Sequence, residues 1–123
     1  NGNLDSLKIL VESESAINTL YYKYVLTDAL TNSVKNNKLD VVKYLVSVGA
    51  DINGNNDGYS DSPIFVSAER RHLDIVKFLI DNNVNIHTYL NNDGPFMYSA
   101  INGHYDVAKL LLDNGANIHA GSR

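Results

Sequence analysis

One eight-residue pattern is written four times in this chain, and no other feature constrains its fold as strongly. Leu4-Asp5-Ser6-Leu7-Lys8-Ile9-Leu10-Val11, Leu39-Asp40-Val41-Val42-Lys43-Tyr44-Leu45-Val46, Leu73-Asp74-Ile75-Val76-Lys77-Phe78-Leu79-Ile80 and Tyr105-Asp106-Val107-Ala108-Lys109-Leu110-Leu111-Leu112 share it. Their first residues lie 35, 34 and 32 positions apart. Recurrence at such a period marks a protein built from stacked repeats, in which each unit contacts only its neighbours and the core is a strip.

Within each copy the apolar residues fall at helical spacing. In the last, Val107, Leu110 and Leu111 share one face at i, i+3 and i+4, which predicts an amphipathic helix. The Asp near each start (Asp5, Asp40, Asp74, Asp106) sits where the helix dipole favours negative charge. The Lys three residues on (Lys8, Lys43, Lys77, Lys109) is placed to pair with it. Gly49 and Gly115 follow two copies and Asn83 a third, the residue types that tolerate a left-handed helix exit. A shorter helix is predicted before each long one, over Asp28–Asn36, Ser62–Arg70 and Gly94–Asn102. Ser62-Pro63 and Gly94-Pro95 place an N-cap before a first-turn proline, and Asp28-Ala29 is expected to serve the same end. The polar segments Gly49 to Ser60 and Asn83 to Gly94 read as turns or extended loops.

These units resemble the ankyrin repeat. The last is the nearest match, with Asp93-Gly94-Pro95-Phe96-Met97-Tyr98-Ser99-Ala100-Ile101-Asn102-Gly103-His104 before its long helix and Gly115-Ala116-Asn117-Ile118-His119-Ala120 after it. Gly49-Ala50-Asp51-Ile52-Asn53 repeats that exit in phase. The resemblance implies an all-α solenoid of helix-turn-helix units joined by hairpin-like loops. One array over 1–123 is expected, with a half repeat at 1–20 and full repeats at 21–55, 56–89 and 90–123. The family's Thr-Pro-Leu-His appears as Asp28-Ala29-Leu30-Thr31, Ser62-Pro63-Ile64-Phe65 and Gly94-Pro95-Phe96-Met97, each without the His. Packing by Phe65 and Met97 is expected to replace the polar belt. Insertions are expected between Asn18 and Thr27 and between Gly54 and Asp61. The Asn-rich units look like those of large DNA viruses and intracellular microbes, which implies an intracellular, cytoplasmic setting, including that of a host cell. Neither terminal helix has a polar outer face, so the chain is expected to sit within a longer array.

Sites of reaction chemistry have little support. There is no cysteine, which removes disulfides and thiolate metal sites. His72 and His104 lie 32 apart, as do His87 and His119, so they recur at repeat positions and no shared metal is expected. Asn53-Gly54-Asn55-Asn56-Asp57-Gly58 has the opening of a calcium loop but Ile64 at its twelfth position, where a carboxylate is needed. No phosphate-binding glycine motif is present. Enzymatic activity and cofactors are therefore not expected. No run approaches a membrane span. The net charge of −4, with scattered basic residues, argues against a nucleic-acid backbone as partner.

The resemblance implies a protein partner, a monomeric state, and a concave face made by loop tips and short helices. By repeat phase the tips are Tyr24, Val25 and Thr27; Gly58, Tyr59 and Asp61; and Tyr89, Leu90, Asn91 and Asp93. The outward short-helix positions are Asn32, Lys35 and Asn36; Val66, Glu69 and Arg70; and Tyr98, Ile101 and Asn102. Of eight tyrosines, five (Tyr21, Tyr22, Tyr24, Tyr59, Tyr89) are expected in loops. Tyr gives large contact area with few torsions to freeze. Tyr21, Tyr22 and Tyr24 together are the expected hot spot. The alternative is a passive spacer in a longer scaffold. Asn18 and Asn53 also resemble the asparagines that hydroxylases modify in ankyrin substrates.

Overall fold

Where the sequence repeats, the backbone repeats with it. The computed structural model describes residues 4–5, 19–55, 62–86 and 94–115. Leu4 and Asp5 are helical, and six further helices follow: α1 Thr19–Lys35, α2 Leu39–Ser47, α3 Pro63–Glu69, α4 Leu73–Asp81, α5 Pro95–Ile101 and α6 Tyr105–Asp113. No strand occurs among the described residues. Each pair, α1 with α2, α3 with α4 and α5 with α6, packs against itself. The pairs then stack, α1 on α3 on α5 in one layer and α2 on α4 on α6 in the other. The fold is an all-α solenoid of helix-turn-helix units.

The long helices bury the same three positions each time: Val41, Val42 and Leu45; Ile75, Val76 and Leu79; Val107, Ala108 and Leu111. The i, i+1, i+4 spacing turns these side chains toward the neighbouring layer. Leu30, Val34, Ile64 and Val66 from the short-helix layer close the core strip. Truncating one such leucine to Ala costs about 2–5 kcal/mol, so this strip, rather than any polar pair, carries the stack.

The helices share one ending. After α2, the Ala50 N–H donates to Leu45 O (3.0 Å) and the Gly49 N–H to Val46 O (3.2 Å), with Gly49 at φ +112°. The same crossed pair of bonds closes α4 around Asn83 (φ 66°) and α1, α3 and α5 around Asn37, Arg71 and Gly103. This left-handed exit satisfies the last carbonyls and sends the chain back along the helix it has left.

The first helix departs from expectation. The sequence points to a short helix from Asp28 with tyrosines in an inserted loop before it, but α1 begins at Thr19. No Gly or Pro interrupts Thr19–Lys35, and Tyr22, Leu26, Leu30 and Val34 follow one another at four-residue steps along the packed side. An uninterrupted apolar stripe outweighs the weak capping signal of Asp28, which lies exposed in mid-helix. Ser62 does occupy the N-cap of α3, yet its hydroxyl makes no capping bond and is buried without a partner among the described residues. Pro63 and Pro95 stand in the first turns of α3 and α5, as expected.

The expected Asp–Lys pairs within the long helices do not form among the described residues. Asp40 and Asp106 instead accept from the N–H of the next residue, Val41 (2.9 Å) and Val107 (2.8 Å). Asp106 reaches across the stack to Arg71 Nε at 3.3 Å, and Lys109 pairs with Asp113 at 3.1 Å.

Candidate functional site

The short-helix layer presents two exposed rows. Lys35, Glu69 and Ile101 end α1, α3 and α5, and Asn36, Arg70 and Asn102 follow them, all exposed. Two of the three helix ends are held by a staple from the following turn. His72 Nε2 lies 3.3 Å from Lys35 O, and His104 Nε2 lies 2.9 Å from Glu69 O. Each of these histidines occupies the N-cap of the second helix of its unit and bonds the final carbonyl of the preceding unit's first helix. The recurring His is thus used for stacking, and its ring nitrogen is already engaged.

Two further polar bonds brace the loop side, the first within the α1–α2 unit and the second between successive units. The Thr27 hydroxyl accepts the Asp51 N–H at 2.7 Å, and the Asn53 side-chain carbonyl accepts the Asn85 N–H at 2.8 Å. The missing Thr–His belt is replaced here by hydroxyl- and amide-to-backbone bonds as well as by packing. Phe65 is buried and its ring lies 4.7 Å from that of Tyr98 at an interplanar angle of 60°, a tilted aromatic contact between successive units.

Several expected surface residues are where the repeat phase puts them. Asn32, Lys35, Asn36, Glu69, Arg70, Ile101 and Asn102 are exposed, as is Val25. Others are not. Val66, expected outward, is only 3% exposed and belongs to the core, because α3 is buried along nearly its whole length between α1 and α5. Thr27, expected at a tip, is fully buried by its bond to Asp51. Tyr98 is half-buried against Phe65.

The tyrosine cluster separates. On one helix, residues two apart point to nearly opposite sides, so Tyr22 packs against the core while Tyr21 (67% exposed) and Tyr24 (57%) face outward. Asn55 braces this stretch by donating its amide to Tyr24 O at 3.1 Å. Tyr59, Asp61, Tyr89, Asn91 and Asp93 lie outside the described residues, as do Gly58, Leu90, His87, His119 and Asn18. Asn53 is half-buried with its side-chain oxygen committed to Asn85.

Tyr105 was not among the expected surface residues, yet it is 73% exposed and lies four residues beyond Ile101, itself 68% exposed. The available signal was its chemistry: Tyr105 stands where the other copies carry Leu39 and Leu73, which are half-buried. Among the described residues no group of three or more His, Cys, Asp or Glu could hold a metal, and no helix is long and apolar enough to cross a membrane.

The family model described as ankyrin repeats (3 copies) matches residues 30–122. Over 50 residues, 41% of the chain, the sequence is 34% identical to alpha-latrotoxin-Lh1a of Latrodectus hasselti. Identity and coverage are the same for alpha-latrotoxin-Lt1a of Latrodectus tredecimguttatus. The matched segment spans 4% of the length of each toxin.

Proposed function

The chain belongs to the ankyrin-repeat family, and from that premise we propose that it is a protein-recognition module whose partner docks on the concave edge formed by the short helices and adjoining loop tips. Ankyrin repeats are generally protein-interaction modules. The observation that carries the reading is the pair of exposed rows, Lys35–Glu69–Ile101 and Asn36–Arg70–Asn102, in which His72 and His104 staple the final carbonyls of α1 and α3. A surface held rigid before it meets a partner loses less conformational entropy on binding. The rows change chemistry at every step, from cation to anion to aliphatic and from amide to guanidinium to amide, which suits selection of one protein surface. Glu69 interrupts the basic residues, so no cationic stripe follows the edge for a nucleic-acid backbone. Tyr21 and Tyr24 extend the surface along α1. The site carries no reaction chemistry in this reading and acts as a monomer.

The test is affinity capture from lysate with mass-spectrometric readout, comparing the intact chain with two folded variants. One carries Arg70→Ala and Ile101→Ser, the other Lys43→Ala and Lys77→Ala on the long-helix layer. A protein captured by the intact chain, lost with the first variant and kept by the second is the expected result. Loss with the second variant alone would place binding on the opposite layer. Equal capture of nothing specific by all three would favour a passive spacer.

A further inference from the structure

The chain contains four Asn-Gly pairs: Asn1-Gly2, Asn53-Gly54, Asn102-Gly103 and Asn114-Gly115. Asparagine followed by glycine is the pairing most open to self-reaction, because glycine brings no side chain to obstruct its own backbone nitrogen. We propose that Asn102 is a site of spontaneous deamidation and isomerisation, selected by the fold from among the three pairs that lie in the described residues, with water as co-reactant. The Gly103 backbone nitrogen attacks Asn102 Cγ, a new N–Cγ bond forms, the Cγ–Nδ2 bond breaks, and the amide proton leaves with the nitrogen as ammonia. Water then opens the resulting five-membered imide. Cleavage at the side-chain carbonyl yields aspartate, and cleavage at the backbone carbonyl yields isoaspartate, with the chain routed through the side chain. No oxidant or reductant is needed.

Three of the pairs lie among the described residues, and in all three the glycine N–H is bonded: Gly54 to Asp51 O (2.9 Å), Gly103 to Ala100 O (3.1 Å) and Gly115 to Leu112 O (3.1 Å). Backbone protection therefore does not separate them. The asparagine side chain does. Asn53 holds the Asn85 N–H at 2.8 Å, and Gly54 behind it is pressed against Pro63, whose Cδ would lie 2.9 Å from an added Cβ. Asn114 donates its amide to Leu110 O at 2.8 Å, as Asn36 does to Asn32 O and Asn82 to Phe78 O. Asn102 makes no such clasp: its side chain is exposed and has no hydrogen-bond partner among the described residues. Chain neighbours aside, nothing lies within 4 Å of where a Cβ on Gly103 would stand, as is also true at Gly115. The Asn102 amide is free to turn onto the next nitrogen, and the turn has room to admit it.

The product changes the molecule in two ways. A carboxylate appears in the row that holds Arg70 in the preceding unit. The isoaspartate branch also adds a methylene to the backbone between α5 and α6. There the His104 N–H bonds Ser99 O (2.8 Å) and its ring bonds Glu69 O (2.9 Å), so one staple of the stack is displaced. The site stands on the Asn102 geometry alone and does not depend on the partner reading.

The folded chain is held at mildly alkaline pH and sampled by peptide mapping with fragmentation that separates aspartate from isoaspartate; a parallel sample is held in denaturing urea. Asn102 is expected to convert several-fold faster than Asn53 and Asn114 when folded, with the difference collapsing in urea. Conversion of Asn102 no faster than that of Asn53 or Asn114 in the folded chain would overturn the proposal. Isoelectric focusing of an Asn102→Gln variant checks the assignment independently. The acidic species should form more slowly than in the parent chain, and an unchanged rate would place the chemistry elsewhere.

Discussion

Replacing Gly54 with Ala tests how the loop is seated on the next unit. Gly54 has φ +86°, and an added Cβ would stand 2.9 Å from Pro63 Cδ and 3.5 Å from Ser62 Cα. The Pro63 ring is tied to the first turn of α3 and cannot swing aside as a long side chain would. Gly103 is the matched control, with φ +79° and nothing within 4 Å of its own missing Cβ. Both substitutions place a non-glycine residue in the left-handed region, at roughly 1–2 kcal/mol each. Only Gly54→Ala adds overpacking against a ring fixed in the backbone, about 1–3 kcal/mol more. Gly54→Ala should therefore destabilise by ~2–5 kcal/mol, and Gly103→Ala by ~1–2 kcal/mol. Urea unfolding followed by circular dichroism reads both, with unchanged m-values required so that the midpoints compare stabilities. If the two variants unfold at the same midpoint, the close approach of Gly54 to Pro63 carries no energy and the reasoning fails.

Asn53→Ala removes the acceptor of the Asn85 N–H and should cost about 1–2 kcal/mol, read by the same unfolding. Leu79→Ala, at a fully buried position, should cost about 2–5 kcal/mol, whereas Leu112→Ala, at an exposed one, should stay within about 0.5 kcal/mol of the parent; similar losses for both would show that the core strip is misplaced. The Asp106 carboxyl feels desolvation, its largest single influence and one that raises its pKa, but the Val107 N–H and the Arg71 guanidinium together outweigh this and hold it below the ordinary carboxylate value. A depressed folded pKa contributes stability above the unfolded pKa and loses it as pH falls through the folded one. Carbon-detected titration should accordingly find the Asp106 pKa below that of a model carboxylate and raised in an Arg71→Gln variant, and an unchanged value would remove the ion pair as a cause.

The frame of this protein was legible because its determinants are local and periodic. Val41, Val42 and Leu45 recur as Ile75, Val76 and Leu79, so the packed face of a long helix can be read from one copy and checked in the next. The exits at Gly49, Asn83 and Gly115 were legible for the same reason, since few residue types accept a positive φ. Arg71 was not, because nothing in its side chain announces a left-handed backbone, and it is the surrounding turn that imposes φ 61°. The start of α1 was missed because a polar Asp28 before an apolar run resembles a cap. Only the continuation of Tyr22, Leu26, Leu30 and Val34 backward along one stripe shows otherwise.

The surface is harder to read than the frame, and the reason is physical. A residue at an outward repeat position stays outward only if the next unit does not lean on it. Val66 and Asn32 share a repeat position, yet Val66 is buried between neighbours on both sides and Asn32 is exposed. Lys35 and Glu69 keep their side chains in solvent while His72 and His104 take hold of their backbone carbonyls. A bond to the main chain leaves the side chain free to vary without loosening the stack. On the proposed reading, that division makes the ends of α1, α3 and α5 the place where such a chain would change what it recognises without changing how it folds, and it is why the two exposed rows carry that proposal.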